Sequence, residues 1–482
     1  MLIIPLMLTA SYAAAETVRV PFLSLPEHVN PVEAVEESGV ILSNQVFEGL
    51  FVYDSENNLK PLLAESFCIS PDGKTYNIKL RRGLRFSDGH PLAAAGVKLS
   101  LENAARVMGK ASRWALGSIS GFGDFIDGRA PSLSGIATPQ KYELQIKLDR
   151  PYHPLLQVFA TAFFRITEKS GGEYLGTGPY YVASRTPDNV TLKILPARAY
   201  QTPVDEIVAE KVASREAMTS PQALKRYDVI ELAGKAGVSS PYHNRIDAPL
   251  LDANVLVFNT RRPALRDPDF RRSIVRLLRA SVDYRAFGWQ SMAQGFPFAK
   301  DLFGPETAQP YFSGPAHPLR IDYDDCDLSV SDVKVLQRRL RAAGHNIVFN
   351  HLSTEQLVKE FQSGNFDAQF SGFIPDIVDP DGLFTPLFGT GEQFNFAGYS
   401  SPEMDALLAG ARAEQDFSKR MKIYSEIARK VERDAPIGFI GSSKLELLVS
   451  KKFIPPKMNW QGLPMFQLDS LRLSGDAKGA GK

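Results

Sequence analysis

Phe67-Cys68-Ile69-Ser70-Pro71-Asp72-Gly73-Lys74-Thr75-Tyr76-Asn77-Ile78-Lys79-Leu80 is the stretch from which the fold can be read outward. Apolar and polar residues alternate on both sides of Pro71-Asp72-Gly73. Proline presets φ at the turn's second position and glycine accepts positive φ, so the stretch predicts a β-hairpin. Downstream, Tyr142, Leu144, Ile146 and Leu148 alternate with Glu143, Gln145 and Lys147, and Val190, Leu192 and Ile194 repeat the pattern. Both predict half-buried strands.

Helical spacing is equally clear. Val97, Leu101, Ala104 and Met108 share one face. Asp267 caps a helix with Pro268 in its first turn and Phe270, Ile274, Leu277 and Leu278 on the inner stripe. Val333, Leu336, Leu340 and Ala343 form another stripe, ended by Gly344. Ser401-Pro402 opens a helix that turns Met404, Leu407, Leu408 and Ala411 inward, and Met421, Tyr424, Ala428 and Val431 mark a further one. Strands dominate the first third and helices the second half, so the chain is a mixed α/β protein of several lobes.

The composition fits that reading. The chain has 482 residues, 44% of them hydrophobic, and 55 Lys and Arg against 54 Asp and Glu give a net charge of +1. Such apolar content supports large cores, and the length suggests two to four domains. A near-neutral balance argues against a dedicated nucleic-acid surface or a polybasic membrane patch. Leu2 to Ala10 is an uncharged apolar run before Ala13-Ala14-Ala15. It predicts a signal peptide over residues 1–15, cleaved after Ala15, with no cysteine positioned for a lipoprotein anchor.

Catalytic motifs are missing. There is no G-x-S-x-G elbow, no P-loop and no H-E-x-x-H pair among the seven histidines. Gly176-Thr177-Gly178-Pro179 completes no dinucleotide fingerprint. Asp322, Asp324, Asp325, Asp327 and Asp332 cluster without an EF-hand's Gly and Glu, and are expected in a solvated loop before the helix that follows Ser331. Arg271, Arg272, Arg276 and Arg279 are expected on the wet face opposite Phe270 and Ile274. No cofactor or metal is implied.

A longer pattern carries a resemblance. Phe47 to Asp54 reads F-E-G-L-F-V-Y-D, and Pro61 to Phe86 reads P-L-L-A-E-S-F-C-I-S-P-D-G-K-T-Y-N-I-K-L-R-R-G-L-R-F. Gly176-Thr177-Gly178-Pro179-Tyr180, Val257-Phe258-Asn259-Thr260, Asp269-Phe270-Arg271-Arg272-Ser273, Gly398 to Asp405 and Glu432 to Ile437 follow in order. Together they resemble the family-five extracellular solute-binding proteins, peptide and oligopeptide receptors of ABC transporters. The resemblance implies a periplasmic-binding-protein-like two-lobed flytrap with an additional inserted domain. Domain I would comprise residues 16–46, 174–250 and 455–482, domain II 47–173 and domain III 251–454, with hinge crossings near 250 and 455. It implies a periplasmic monomer whose partners are a small peptide or related solute and the permease subunits.

Gly372-Phe373-Ile374-Pro375-Asp376-Ile377-Val378-Asp379-Pro380-Asp381 resembles the family segment G-W-x-x-D-Y-x-D-P. The resemblance implies that Asp376 pairs with a ligand α-amino group, with Phe373, Ile374 and Pro375 beside it. Asp379 is expected to fix the loop as an Asp-Pro turn. Phe373 and Ile377 replace a Trp and a Tyr, which removes polar edges and leaves opines, other amines and oligosaccharides open as ligands. The layout places Cys68 and Cys326 in different domains, so both are expected to be free thiols. A sensory or chaperone-like binding protein of the same fold is the alternative, and a secreted hydrolase would need a nucleophile and base that the sequence lacks.

Overall fold

The computed structural model describes residues 16–34, 36–198, 202–232, 238–284, 289–296, 298, 302, 319–324, 328–342, 346–462 and 466–474. The expected signal peptide, Cys326 and the end of the helix at Ala343 and Gly344 lie outside these residues.

The hairpin is present as Ala64–Ile69 and Thr75–Leu80, with Gly73 at φ +68° in its turn. Phe67 faces Ile78 and Cys68 faces Asn77 in antiparallel register. Glu143–Lys147 and Ile136–Gln140 extend it to a four-stranded antiparallel sheet. Helix Ala94–Met108 covers this sheet through Val97, Leu101 and Ala104. Its N-cap, Ala93, has no side-chain acceptor to offer.

A second four-stranded sheet runs in the order Glu16–Phe22, Val204–Lys211, Asn189–Ile194, Tyr180–Thr186. Its first pair is parallel and the others antiparallel. Gly176 and Gly178 let the chain lie against the end of helix Glu37–Val46. A Cβ on Gly176 would sit 2.0 Å from the Val46 carbonyl oxygen, and one on Gly178 2.6 Å from it. The glycines are therefore required by a close backbone approach.

The largest sheet has the order Val229–Glu231, Ile437–Ser450, Ala253–Phe258, Ala368–Phe373, Leu319–Tyr323, Ile347–His351. His243–Pro249 also pairs along Ile437–Ser450, which is therefore shared by strands on both sides of Ser443. Ala253–Phe258 is buried on both faces. Leu256 and Phe258 meet helices Pro268–Ser281 and Val330–Ala342 through Ile274, Leu278, Leu336 and Leu340. Val255 and Val257 face the opposite core with Leu383, Met404, Tyr424 and Val431. The alternation follows from the two-residue period of a strand. That second core is continuous with Leu50, Tyr152, Leu155 and Phe164 of residues 47–173.

Two charged clusters depart from expectation. Asp322 and Asp324 are buried rather than solvated. Asp322 ends at Arg320 and accepts from Asn350 Nδ2 (2.8 Å), and Asp324 accepts from Thr354 Oγ1 (2.7 Å). Asp332 does sit in the first turn of its helix, with its amide donating to Ser329 Oγ. Arg271 is buried too. Its guanidinium donates to the carbonyls of Leu265, Asp434 and Ala435, while Arg272 reaches Arg433 O and Arg279 reaches Phe439 O (2.7 Å). Arg276 is exposed as expected, but Arg271 and Arg272 meet the C-terminal end of helix Phe417–Asp434, where carbonyls lack intrahelical partners and cations are favoured. Apolar periodicity placed them on the wet face because that helix end is remote in sequence.

Candidate functional site

Strand Ala368–Phe373 ends where the quoted segment begins, and helix Asp381–Phe388 starts where it ends. The seven residues between form the loop that carries Asp376. Asp379 folds it: its Oδ1 accepts from the Asp381 amide (3.0 Å), and its carbonyl accepts from Gly382 N (3.0 Å). Gly382 also makes room, because a Cβ there would come 2.8 Å from Ile377 and 3.3 Å from Pro375.

Asp376 itself is half-buried. Among the described residues its carboxylate has no hydrogen-bond donor and no cation beside it, although its main-chain carbonyl accepts from Gln461 Nε2 (3.3 Å). Removal from water pushes its pKa up from 3.8 to about 7, with no charge to pull it back. Phe373 packs edge-on against Phe394 (5.8 Å, 71°), and Phe394 is followed by Phe396, stacked on Phe361 (4.6 Å, 11°). Ile374 is 69% exposed and Pro375 is buried. The loop therefore presents an apolar surface and one unneutralised carboxylate. Ile377, at the expected tyrosine position, is buried and offers no polar edge.

Behind the loop lies a polar cluster that sequence reading missed. Arg420 Nη2 donates to Asp379 Oδ2 (2.8 Å), with both side chains buried. Gln157 Nε2 reaches the same oxygen (3.1 Å), and Tyr53 Oη donates to Gln157 Oε1 (2.7 Å). Arg412 grips Asp381 from Nε (2.8 Å) and Nη2 (3.0 Å) and lies over the Tyr152 ring. Burial raises the Asp379 pKa against the pull of Arg420, and burial likewise raises Tyr53. Arg420 stands four residues before Tyr424 on an otherwise apolar stripe, which is the signal that could have exposed it. Gln157 and Tyr53 carry no such mark.

A cavity of about 360 Å³ opens between Val52–Ser55 and the segment 456–470, lined among others by Tyr53, Asp54, Lys457, Asn459 and Phe466. Phe373, Ile374, Pro375 and Asp376 do not line it. Among the described residues no three His, Cys, Asp or Glu side chains gather as metal ligands.

The architecture is that of the periplasmic binding proteins. Solved structures cover nearly the whole chain. The Haemophilus influenzae OppA in complex with the peptide RPPGFSPFR matches with a TM-score of 0.74 at 16% identity, covering 95% of this chain and 99% of its own. The PBP AgaA from Agrobacterium tumefaciens in complex with agropinic acid matches with a TM-score of 0.73 at 19% identity, covering 95% and 99%. In sequence, the glutathione-binding protein GsiB of Pectobacterium atrosepticum is 23% identical over 458 residues, 88% of each chain. The description "Bacterial extracellular solute-binding proteins, family 5 Middle" matches residues 58–278. Residues 58–278 are thus similar to the family-5 extracellular solute-binding proteins, and the whole-chain likenesses agree with that match.

Proposed function

We propose that this protein captures a peptide or similar amine-bearing solute by lobe closure and delivers it to the permease subunits of an ABC importer, after export through the Met1–Ala15 signal peptide. Asp376 pairs with the ligand's ammonium, and Phe373, Ile374 and Pro375 flank it. The observation that carries this reading is the half-buried Asp376 carboxylate with no cation among the described residues. Leaving a carboxylate desolvated and unpaired is unfavourable, and an ammonium satisfies it with a short, charge-assisted bond. A ligand without the amine leaves that cost in place, so the same group selects against it. The relatives add support: GsiB is named for glutathione, and OppA was solved with a peptide.

Three bodies, residues 16–46 with 174–250 and 455–482, residues 47–173, and residues 251–454, would form the two lobes and the insertion. Closure is then a population shift driven by contacts available only when the lobes meet.

A thermal-shift screen of residues 16–482 tests the reading. The library holds di- to pentapeptides, the same peptides N-acetylated, opines and oligosaccharides. A compound at 100 times its Kd adds about 2.7 kcal/mol of stability. Stabilisation by free-amine peptides, lost on acetylation and in Asp376→Ala, is the expected result. Stabilisation by sugars, or equally by acetylated and free peptides, discards both the ligand class and the role of Asp376. Opines are the second reading, favoured by the AgaA likeness and by Phe373 and Ile377, which carry no polar edge; they would stabilise the protein where peptides do not.

A further inference from the structure

The inserted segment 47–173 lends two side chains to the loop that carries Asp376. Tyr53 and Gln157 come from that insertion, whereas the loop and Arg420 come from residues 373–420. Their hydrogen bonds form one chain: the Tyr53 hydroxyl to Gln157 Oε1 (2.7 Å), Gln157 Nε2 to Asp379 Oδ2 (3.1 Å), and Arg420 Nη2 to that same oxygen (2.8 Å). Asp379 is the third residue after Asp376, and its Oδ1 is taken by the Asp381 amide. The loop is thus held from the insertion on one side, from helix Phe417–Asp434 on another, and by its own turn.

This cluster is a poor device for stability alone. Arg420 Nε and Nη1 and the Tyr424 hydroxyl are buried with no partner among the described residues. A buried ion pair whose remaining donors are unsatisfied recovers little of its desolvation cost, and apolar residues of similar shape would serve at least as well. What the polar cluster does supply is direction. Two donors converging on one carboxylate oxygen fix Asp379 in rotation as well as in place, which packing alone would leave looser.

We propose that Tyr53 and Gln157 of the insertion, with Arg420, are positioning residues that set the Asp376 loop for amine recognition. The inference rests on the reading of Asp376 as the amine partner. It assigns the insertion a part in recognition without contact with the solute. Distance matters here because a carboxylate–ammonium bond is short and directional.

The test uses the full chain with Tyr53→Phe, which removes one hydroxyl, and Gln157→Leu, which keeps the side chain's volume. Asp376→Ala is run beside them. Hydrogen exchange is followed peptide by peptide, and melting points are recorded with a pool of di- to pentapeptides and with the same pool N-acetylated. Amide exchange across residues 376–379 is expected to rise about tenfold in both variants while the rest of the chain keeps its protection. The extra stabilisation given by the free-amine pool over the acetylated pool is expected to shrink at least by half. Loop exchange that stays at the wild-type rate, a rise spread over the whole chain, or an unchanged gap between the two pools overturns the positioning role. Should Asp376→Ala keep the wild-type gap, or should the wild type show none, the amine reading itself falls and this inference falls with it. An Asp376→Ala variant that loses the gap while Tyr53→Phe and Gln157→Leu retain it isolates the failure to the positioning role.

Discussion

Amine capture by Asp376 should be accompanied by the release of a proton. In the conformation described, burial holds the Asp376 carboxyl at about 7, up from 3.8. That rise corresponds to a ceiling of about 4 kcal/mol between its protonated and ionised forms. The sign for stability follows directly. A carboxyl whose folded pKa lies above its unfolded value favours the folded state most below 3.8, and that contribution is lost as pH rises through 7. Binding runs the other way. The ammonium needs the ionised carboxylate, so apparent affinity for a free-amine peptide is weaker by about 2-fold at pH 7, 10-fold at pH 6 and 100-fold at pH 5 than its limit above pH 8. The α-amine itself titrates near 8, so affinity should peak between about 7 and 8. Calorimetry from pH 5 to 9, in pairs of buffers with different ionisation enthalpies, measures both quantities. Nearly one proton should leave per peptide bound at pH 6 and about half at pH 7. An affinity that stays flat from pH 5.5 to 7.5 with no proton release refutes the reasoning, because the carboxylate was then already ionised before the ligand arrived.

Three further outcomes are expected. Gly178→Ala drives a methyl into the Val46 main chain, where no flexible side chain can yield, so urea denaturation should show a loss of about 2 kcal/mol or more; a loss under 0.5 would mean the close approach relaxes freely. Arg271→Met leaves the carbonyls of Leu265, Asp434 and Ala435 without their charged donor and should cost about 3 kcal/mol by the same assay, with a loss below 1 counting against a buried tie. Cys68 is free and exposed, so its thiol should react rapidly with a disulfide reagent in the native protein, and two thiols should be counted after denaturation; no free thiol after denaturation would contradict the expectation of two free cysteines.

The parts of the fold written in short-range periodicity were legible from residues alone. The Pro71-Asp72-Gly73 turn, the stripe through Ile274 and Leu278, and the cap at Asp267, which accepts from Asp269 N (2.9 Å), all depend on neighbours a few positions away. The charged residues were harder. Periodicity sorts a helix into apolar and polar faces, but it cannot see that Arg271 meets the carbonyl end of another helix 163 residues later. Asp322 escapes it for the same reason, since Asn350 reaches it only after the strands pair. At the candidate site, the Asp376 segment was visible through its resemblance. Its support was not: Gln157 lies 222 positions from Asp379 and Arg420 lies 41. Apart from the place of Arg420 on an apolar stripe, a hydrogen bond between polar residues that far apart leaves no pattern in a single sequence.

Strand Ile437–Ser450 has a mechanical consequence. Near its middle, the buried Asp252 carboxylate takes the Ser443 amide (2.7 Å) and the Ser442 hydroxyl (3.0 Å), fastening two chain segments side by side. On one side of that clasp the strand is bonded to Val229–Glu231 and His243–Pro249, on the other to Ala253–Phe258. Each half is a stiff arm of about seven residues, roughly 24 Å at strand spacing. Torsion confined to the few residues around Gly441, Ser442 and Ser443 is then multiplied by the arm. A turn of roughly 20° at the clasp would sweep the far end of an arm through roughly 8 Å.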